Sequence, residues 1–490
     1  MSITAFAPGL HAQPVQDQPT AGPSQQQSPI PGPVGNSPAP SGPAPGDPGF
    51  ATQLFASSRS SLLGDLYGVR SYLRRYGISL GLQETGEVFG NATGGTRQGA
   101  AYNGLTTMSL GMDTEPAFGW QGGVFNVSAF QIHGRNLSAE NLQTLNTASG
   151  IEANRSTRLW ELWYQQSFLD RRVDVKIGQQ SLDQEFMGSQ GASTFINTAM
   201  GWPALPSYDL YAGGPAYPLA SPGVRVRGQL TKSVTALLGV FDDNPPGGPF
   251  FDDSQVRGAA QSGTKFNTGT GALVIGELQF SVNQPSEGQV VTIGNGSGLP
   301  GLYKLGGWYD SGTFFDQRTD TAGLPLGDPN SNGQPRTRRH NYSIYATADQ
   351  VVWPPGPDEP RSISVFARVM GAPGDRNLVD LGVNAGIVMR APFEGRDNDS
   401  VGLGYGLAKI GSSAARFVQN VVVLGPNTLP QRSSESFIEL TYQYQVAPWW
   451  SVQPDFQYVF LPSGGIPNSA SPGKRIGNEA VFGARTNVTF

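Results

Sequence analysis

The sequence predicts an all-β fold, a transmembrane antiparallel β-barrel of about 16 strands. Three observations carry this prediction. Apolar and polar residues alternate along segment after segment from residue 67 onward, which is the pattern of a strand with two different faces. Long and short connections alternate between these segments. Only 14% of residues are charged, and glycine contributes 66 residues, whereas about 25% charged residues is usual for globular domains.

The clearest strands show strict alternation. In "SVGLGYGL", Val401 and Leu403 fall on one face and glycines on the other, and "FIELTYQYQV" sets Ile438 and Leu440 against Glu439 and polar neighbours. The same test predicts strands at 77–85, 104–113, 122–132, 158–168, 172–180, 223–230, 233–242, 270–281, 302–315, 339–350, 361–371, 380–390, 400–409, 433–446, 449–460 and 480–490.

The connections predict the orientation of the barrel. "LDRR", "LTK" and "APW" are tight turns after even-numbered strands, whereas 181–222 and 243–269 follow odd-numbered strands and are long. Outer-membrane barrels have short periplasmic turns and long external loops. Two connections depart from this rule, because 282–301 is long where a turn is expected and 372–379 is short for a loop.

The alternative architecture is a large soluble β-sandwich or propeller. No blade-length repeat is visible, and Arg, Glu, Gln, Asn and Asp recur on the polar faces, which favours a water-filled interior. No window has the roughly 18–20 apolar residues of a transmembrane helix. Strands cross lipid only as a closed barrel, since every backbone group must be paired there.

The chain divides into two parts. Residues 1–57 form a Pro/Gln/Ser-rich tail that we predict to be disordered, because it has too few apolar side chains to build a core. Its start, "MSITAFAPGLH", carries an A-x-A-like "AFA" but lacks a charged beginning and a full apolar stretch, so two interpretations stay open: a signal peptide truncated at its start, or export information that this sequence does not contain. Residues 58–490 form the predicted barrel.

Composition excludes several functions. A net charge of -5, with no basic block longer than "RTRRH", argues against a nucleic-acid partner. The three histidines, His11, His133 and His340, have no serine motif nearby, so an enzyme with a nucleophile and a base is not expected. No cofactor is predicted. The absence of cysteine excludes thiolate metal sites. The alternative for the four carboxylates of "DDNPPGGPFFDD" (242–253) is a hard cation held by oxygen ligands, but no regular ligand spacing is visible, so we interpret the segment as a solvated loop.

Several segments resemble the carbohydrate-selective porins of the OprB type, and they do so in family order. They are "LLGDLYGVRSYLRRYGISLGLQETGEVFGNATGG", "GWQGGVFNVSAFQIHGRNLS", "RLWELWYQQSF", "DVKIGQQSLDQEFM", "WPALPSYDLYAGGPAYPLASPGVRVRG", "LLGVFDDNPPG", "LYKLGGWYDSGTFFDQR" and "PWWSVQPDFQYVFLPSGG". The resemblance covers the chain from about residue 58.

The resemblance implies a function and a location. It implies a channel in the outer membrane of a Gram-negative bacterium that passes glucose and other small sugars by passive diffusion. It also implies contact with outer-membrane lipid and with the barrel assembly machinery, which recognises a final aromatic residue such as Phe490. A monomer and a homotrimer both remain open. The alternative functions are a general, non-selective porin and a structural envelope barrel.

A lumen that selects sugars needs side chains that hydrogen-bond to the sugar hydroxyls, beside aromatic rings that stack on the sugar's C–H faces. Alternation predicts inward-facing groups that match this need, namely Arg225, Arg227, Glu161, Glu277, Arg368 and Asn126 as polar contacts and Trp163, Trp308 and Phe130 as stacking plates. The alternative for each charged residue is a ladder that braces the wall, and for Trp163 and Trp308 it is an aromatic belt at the membrane interface. Trp160, on the opposite parity from Trp163, is expected to meet lipid or the rim.

The last strand, "AVFGARTNVTF", has one apolar and one polar face. Phe482 and Val488 are expected to face lipid, Arg485 and Asn487 are expected to face the lumen, and the strand is expected to close the sheet against the first one.

Overall fold

Sixteen strands of the computed structural model close into one antiparallel barrel. The structure describes residues 60–245, 262–266, 268–283, 298–355, 360–424, 430–468 and 471–490. The barrel strands are β1 Ile78–Asn91, β2 Gly99–Asp113, β3 Gly123–Gly134, β4 Ser156–Phe168, β5 Val173–Gln180, β6 Ser221–Gln229, β7 Val234–Asp242, β8 Ala272–Val282, β9 Gly301–Asp320, β10 Pro335–Trp353, β11 Ser362–Gly371, β12 Val379–Arg390, β13 Ser400–Ile410, β14 Ser434–Ala447, β15 Trp450–Phe460 and β18 Glu479–Thr489. A small hairpin of β16 Pro467–Asn468 and β17 Ser471–Arg475 precedes the last strand.

Helices are confined to the connections. They are α1 Val69–Arg74, α2 Thr114–Phe118, α3 Thr198–Gly201, α4 Ala204–Asp209, α5 Ser412–Leu424 and α6 Pro462–Gly465, with a π-helix at Ser138–Leu142 and 3₁₀ turns at Leu182–Gln184, Ala192–Thr194 and Tyr211–Gly213. Within the described ranges, no helix has the length and apolar character needed to cross a membrane.

The predicted strands are confirmed, and so is the closure of the sheet. β18 pairs with β1, placing Glu87 opposite Arg485 and Gly90 opposite Phe482. Phe482 is exposed on the outer face and packs on Phe456 at a centroid distance of 4.8 Å. Arg485 is buried on the inner face. The final strand therefore has the two faces that its alternation predicts.

The two ends of the barrel differ as predicted. The end that carries the long connections holds 135–155, 181–220 and 411–433, and the other end holds tight turns such as 169–172 and 230–233. The exceptional connections at 283–300 and 372–378 keep their unusual lengths. The predicted disordered tail at 1–57 and residues 246–253 of the acidic loop lie outside the described residues.

The long connection 181–220 folds into the barrel rather than away from it. Its apolar side chains, including Leu182, Phe186 and Trp202, are buried against Ile275 and Trp308 on the inner wall. Burial of these large side chains in water-free contacts stabilises the inward conformation. The connection 135–155 is also buried, and Leu137, Leu142 and Ala148 pack with Phe89 and Val481. The core of this barrel therefore lies between the wall and two inward-folded loops.

Candidate functional site: the polar wall of the lumen

The inner faces of β4, β5 and β6 bring a cluster of charged and polar side chains together. Gln165 pairs in register with Lys176, and Lys176 pairs with Arg225. Asp174 lies opposite Arg227. Because these positions share the inward parity of adjacent strands, their side chains converge on one patch of the lumen wall.

Arg225 is the centre of an ion network. Its guanidinium is paired with Asp174 and Glu185 and donates to Gln165 Oε1 at 2.9 Å and Glu185 Oε1 at 3.0 Å. Lys176 is also paired with Glu185. Burial raises the pKa of the Glu185 carboxyl, but Lys176 and Arg225 more than offset that effect and hold the pKa below its ordinary value. Arg225 is thus committed to its protein partners.

Arg227 differs from Arg225 in its exposure. Its Nε donates to Asp174 Oδ2 at 2.6 Å, yet 44% of its side chain is exposed, against 4% for Arg225. Gln165 and Asn126 are half-buried on neighbouring strands. The open, hydrogen-bonding part of this cluster is therefore Arg227, held in place by Asp174.

Trp163 belongs to the same cluster but is largely covered. Its Nε1 donates to Glu161 Oε2 at 3.2 Å, and Lys176 Nζ lies 4.5 Å from the ring centroid. Glu161 Oε1 also accepts from the backbone N–H of Ser181, at 3.0 Å. The pair of Trp163 and Glu161 therefore connects the wall to the start of the inward loop.

Phe130 faces inward, as its parity predicts, but it has no open face. It is fully buried and packs on Trp160 at 4.4 Å and on Tyr217 at 5.1 Å between ring centroids. The expectation that Trp160 meets lipid or the rim is wrong. The pairing of β3 with β4 steps from Glu161 to Leu159, so Trp160 is the extra residue of a β-bulge, which turns its side chain inward.

Trp308, Glu277 and Arg368 lie on the inner wall beneath the loop 181–220. Trp308 is 3% exposed within the apolar cluster described above. Glu277 Oε2 accepts from the backbone N–H of Met187 at 2.8 Å and from the Tyr345 hydroxyl at 2.7 Å. Among the site residues predicted from sequence, these three contact the loop instead of open lumen.

Arg368 anchors the loop through its carbonyl groups. It donates to Met187 O at 2.8 Å, to Ala199 O at 2.5 Å, and to Gly201 O and Met200 O at 3.1 Å each. A buried guanidinium that meets several carbonyl oxygens satisfies both itself and a stretch of backbone that has no strand partner.

Three other wall carboxylates hold the inward loops, and the sequence did not predict them. Glu439 accepts from the backbone N–H of Ile196 at 2.5 Å, Asp349 from Gly191 at 2.9 Å, and Glu435 from Leu145 at 2.7 Å. Glu185, the partner of Arg225, was missed as well, because loop residues have no parity. An acidic residue at an inward strand position could have indicated the wall carboxylates. No sequence pattern indicated the loop residues that they contact.

The arrangement suits transport rather than bond chemistry. The charged groups of this cluster are paired with one another, and the described residues contain no group of three or more His, Cys, Asp or Glu able to hold a metal ion. Paired charges with one exposed guanidinium offer hydrogen bonds to a passing polar solute.

Comparison with known proteins assigns the chain to a family. Residues 97–490 match the family model described as "Carbohydrate-selective porin, OprB family". Porin B of Pseudomonas aeruginosa is 26% identical over 436 residues, covering 86% of this chain and 90% of that protein. A putative porin, QuiX, of Acinetobacter baylyi is 23% identical over 437 residues, covering 85% of this chain and 91% of that protein.

Solved structures agree on the fold. OprB of Pseudomonas putida in its high-pH structure superposes with a TM-score of 0.74 at 23% identity, covering 89% of this chain and 99% of that one. Its low-pH structure gives a TM-score of 0.52 at 19% identity, with 89% of this chain and 100% of that one covered. The chain therefore belongs to the OprB family of carbohydrate-selective porins; it is a porin rather than an enzyme, and the family implies the Gram-negative outer membrane as its location.

Proposed function

We propose that this porin passes glucose and other small neutral sugars by passive diffusion, and that the cluster on β4, β5 and β6 is its selective contact. The observation that carries the proposal is Arg227, a guanidinium 44% exposed and oriented by Asp174 at 2.6 Å. A fixed fork of donors matches neighbouring hydroxyl groups on a sugar ring, and it never loses its charge.

The balance of charge in the cluster supports neutral solutes. Its cations are Lys176, Arg225 and Arg227, and its anions are Asp174 and Glu185. Because the three cations share two carboxylates, most of the charge is cancelled within the cluster, and a net charge of +1 remains, so the attraction for ions is weak. A sugar can exchange its water hydrogen bonds for these groups at small net cost, which is what fast diffusion through a selective pore requires.

The remaining predicted site residues take supporting roles in this proposal. Asn126 contributes a polar group on the inner face of β3, opposite Trp163. Trp163 and Glu161 fix the edge of the loop 181–220, and Glu277 and Arg368 hold the middle of that loop. Phe130 and Trp308 pack the core that shapes the passage. We also propose that lipid covers the outer face and that the barrel assembly machinery inserts the chain.

The test is single-channel current through the purified protein in a planar bilayer, with glucose added. We expect open current that glucose blocks in a concentration-dependent way. Arg227→Ala should weaken the block about tenfold or more, because loss of a charge-assisted hydrogen bond costs about 1.5–3 kcal/mol. An open channel whose current does not respond to glucose would indicate a general porin. Absence of any channel current would contradict the proposal.

Two control variants distinguish a direct contact with sugar from support of the barrel wall. Arg225→Ala removes an equal charge from the buried centre, and we expect it to change the resting conductance and its noise. Arg390→Ala removes an exposed inward-parity arginine on β12, away from the cluster, and should leave glucose block unchanged. Equal block in the wild-type and Arg227→Ala channels would remove Arg227 from the sugar path.

A further inference from the structure

Two buried acidic residues meet at the end of the barrel that carries the long connections. Asp243 directly follows β7 and begins the connection 243–271, and Asp310 lies on β9 opposite Leu273. Asp243 is 1% exposed and Asp310 is 0% exposed. The acidic segment is therefore covered by the fold at Asp243 rather than solvated. We call Asp243 and Asp310 the carboxylate pair.

The carboxylate pair is only half satisfied by hydrogen bonds. Asp243 Oδ1 accepts from the Thr270 hydroxyl at 2.5 Å, and Asp310 Oδ1 accepts from the backbone N–H of Gly312 at 2.8 Å. In the part of the chain that the structure describes, no hydrogen-bond donor reaches the Oδ2 atom of either residue. The two side chains contact each other, and the charge of Asp242, a third acid, also acts on Asp310. Buried negative charge in this arrangement is costly unless a positive partner offsets it.

Three side-chain oxygens surround one point beside Gly312. A Cβ added to that glycine would lie 2.9 Å from Asp243 Oδ2, 2.9 Å from Asp310 Oδ1 and 2.6 Å from the Tyr211 hydroxyl oxygen. Thr313 fixes this hydroxyl, which donates to Thr313 O at 2.7 Å and accepts from the Thr313 N–H at 2.8 Å. Glycine at position 312 thus leaves space beside the oxygens that a side chain would fill. Carboxylates grouped with a neutral oxygen are the ligands that Ca²⁺ prefers, at distances of about 2.3–2.6 Å.

We propose that the carboxylate pair binds one hard divalent cation of the Ca²⁺ type, with the Tyr211 hydroxyl as a neutral oxygen beside it. A divalent cation offsets the charge of both carboxylates at once. The alternative is a proton shared between the two carboxyl groups, which offsets only one of the two charges and leaves the other next to Asp242. The charge balance therefore favours the cation.

A cation at this position connects three parts of the fold. Asp243 belongs to the connection 243–271, Asp310 belongs to the wall, and Tyr211 belongs to the inward loop 181–220. The Tyr211 ring also stacks on Phe314 of β9 at a centroid distance of 4.9 Å. Binding therefore holds the ends of two connections against β9. Outer-membrane barrels turn their long connections to the external medium, so calcium in that medium sets the occupancy of the site.

The first test is titration calorimetry with CaCl₂ on the purified full-length protein after treatment with EGTA. We expect a binding step that disappears when Asp243→Asn and Asp310→Asn are combined, because the amides keep the size of the carboxylates without their charge. Asp328→Asn is the matched control. Asp328 lies in the connection between β9 and β10, where it accepts from the backbone N–H of Asn330 at 2.8 Å, and its loss should leave binding unchanged. No binding by the wild-type protein would overturn the proposal in favour of the shared proton, and equal binding by the double variant would overturn it as well.

The second test needs no variant, so it holds even if the double variant does not fold. With free Ca²⁺ at about ten times its dissociation constant, hydrogen exchange in 209–214 and 242–245 should be about tenfold slower than in EGTA, because a ligand of the packed state reduces opening by that factor. Residues 182–187 are the internal control, since Glu277 holds this part of the same loop at Met187, and their exchange should not change. Equal slowing of all three segments, or no slowing, would overturn the proposal. Neither test depends on sugar passage.

Discussion

Arg225 and Arg227 occupy the same face of one strand, but their surroundings give them different capacities. Arg225 meets Asp174, Gln165 and Glu185 and is almost fully buried, so it has no group left for a solute. Arg227 shares only Asp174 and stays open. The two arginines look equivalent in the sequence, but Arg225 braces the wall and Arg227 is open to a solute.

Glu152 makes the inward loop 135–155 sensitive to pH. Burial raises the pKa of its carboxyl to about 8, against an ordinary value of 4.5, and the backbone N–H of Ser138 lies 3.3 Å from each of its oxygens. Because the packed loop holds a proton that the released loop gives up, loop packing is most favourable below pH 4.5 and weakens as pH rises through about 8.

We therefore predict that hydrogen exchange of residues 137–152 speeds up between pH 7 and pH 9, after correction for the intrinsic pH dependence. Glu152→Gln keeps an oxygen acceptor without the titration and should give a flat profile. A wild-type profile as flat as that of the variant would contradict the role of Glu152.

Arg368 is the single side chain with the largest expected effect on the loop 181–220. Arg368→Met keeps most of the aliphatic volume and leaves the carbonyls of Met187, Ala199 and Gly201 without their donor. Each buried unsatisfied carbonyl costs about 1–3 kcal/mol, so we predict faster exchange in 187–201 and noisier single-channel current. Arg390→Met is the control, and equal behaviour of the two variants would show that Arg368 does not hold the loop.

Among the elements, β4 shows how one inserted residue changes the assignment of a face. Its bulge at Trp160 puts that ring against Phe130, although simple alternation sends it outward. We predict that Trp160→Ala lowers the free energy of unfolding by roughly 3–5 kcal/mol, because it leaves a cavity in the core. Leu162→Ala, at a side chain 48% exposed on the outer face, should cost much less in the same urea titration. Equal losses would place both side chains in lipid.

The strands could be predicted from sequence because lipid on one side, and water or an inward-folded loop on the other, make the two faces differ and so impose a period of two. That constraint covers all sixteen barrel strands, and it fails at the ends of β9 and β10. There the two strands continue to Asp320 and from Pro335 as a paired ribbon, beyond the part of the wall where the two faces differ. The inward loops obey no period, so neither the burial of Trp308 nor the anchoring by Glu439 could be predicted.

At the scale of the whole molecule, the barrel and the loops inside it are held by different interactions. Strand pairing closes the sheet around the full circle, from β1 through β2 to β18. The loop 181–220 is held by wall side chains such as Glu277, Arg368 and Glu439, through contacts with its own backbone. The barrel should therefore fold without this loop, whereas the loop needs the wall side chains to hold its conformation.

This separation predicts the outcome of replacing residues 182–219 with a short Gly/Ser turn. Gln180 and Ser221 are opposite each other in the ladder of β5 and β6, so a short turn joins the strands without strain. We expect a folded barrel, recognised by its heat-dependent shift on gels, with severalfold higher conductance because the loop no longer fills the lumen. Glucose block should weaken as well, since Glu185 no longer orients Arg225 and the narrow passage beside Arg227 widens. Wild-type conductance in this variant would show that another part of the wall limits the flow, and failure to fold would show that the closed sheet depends on the loop.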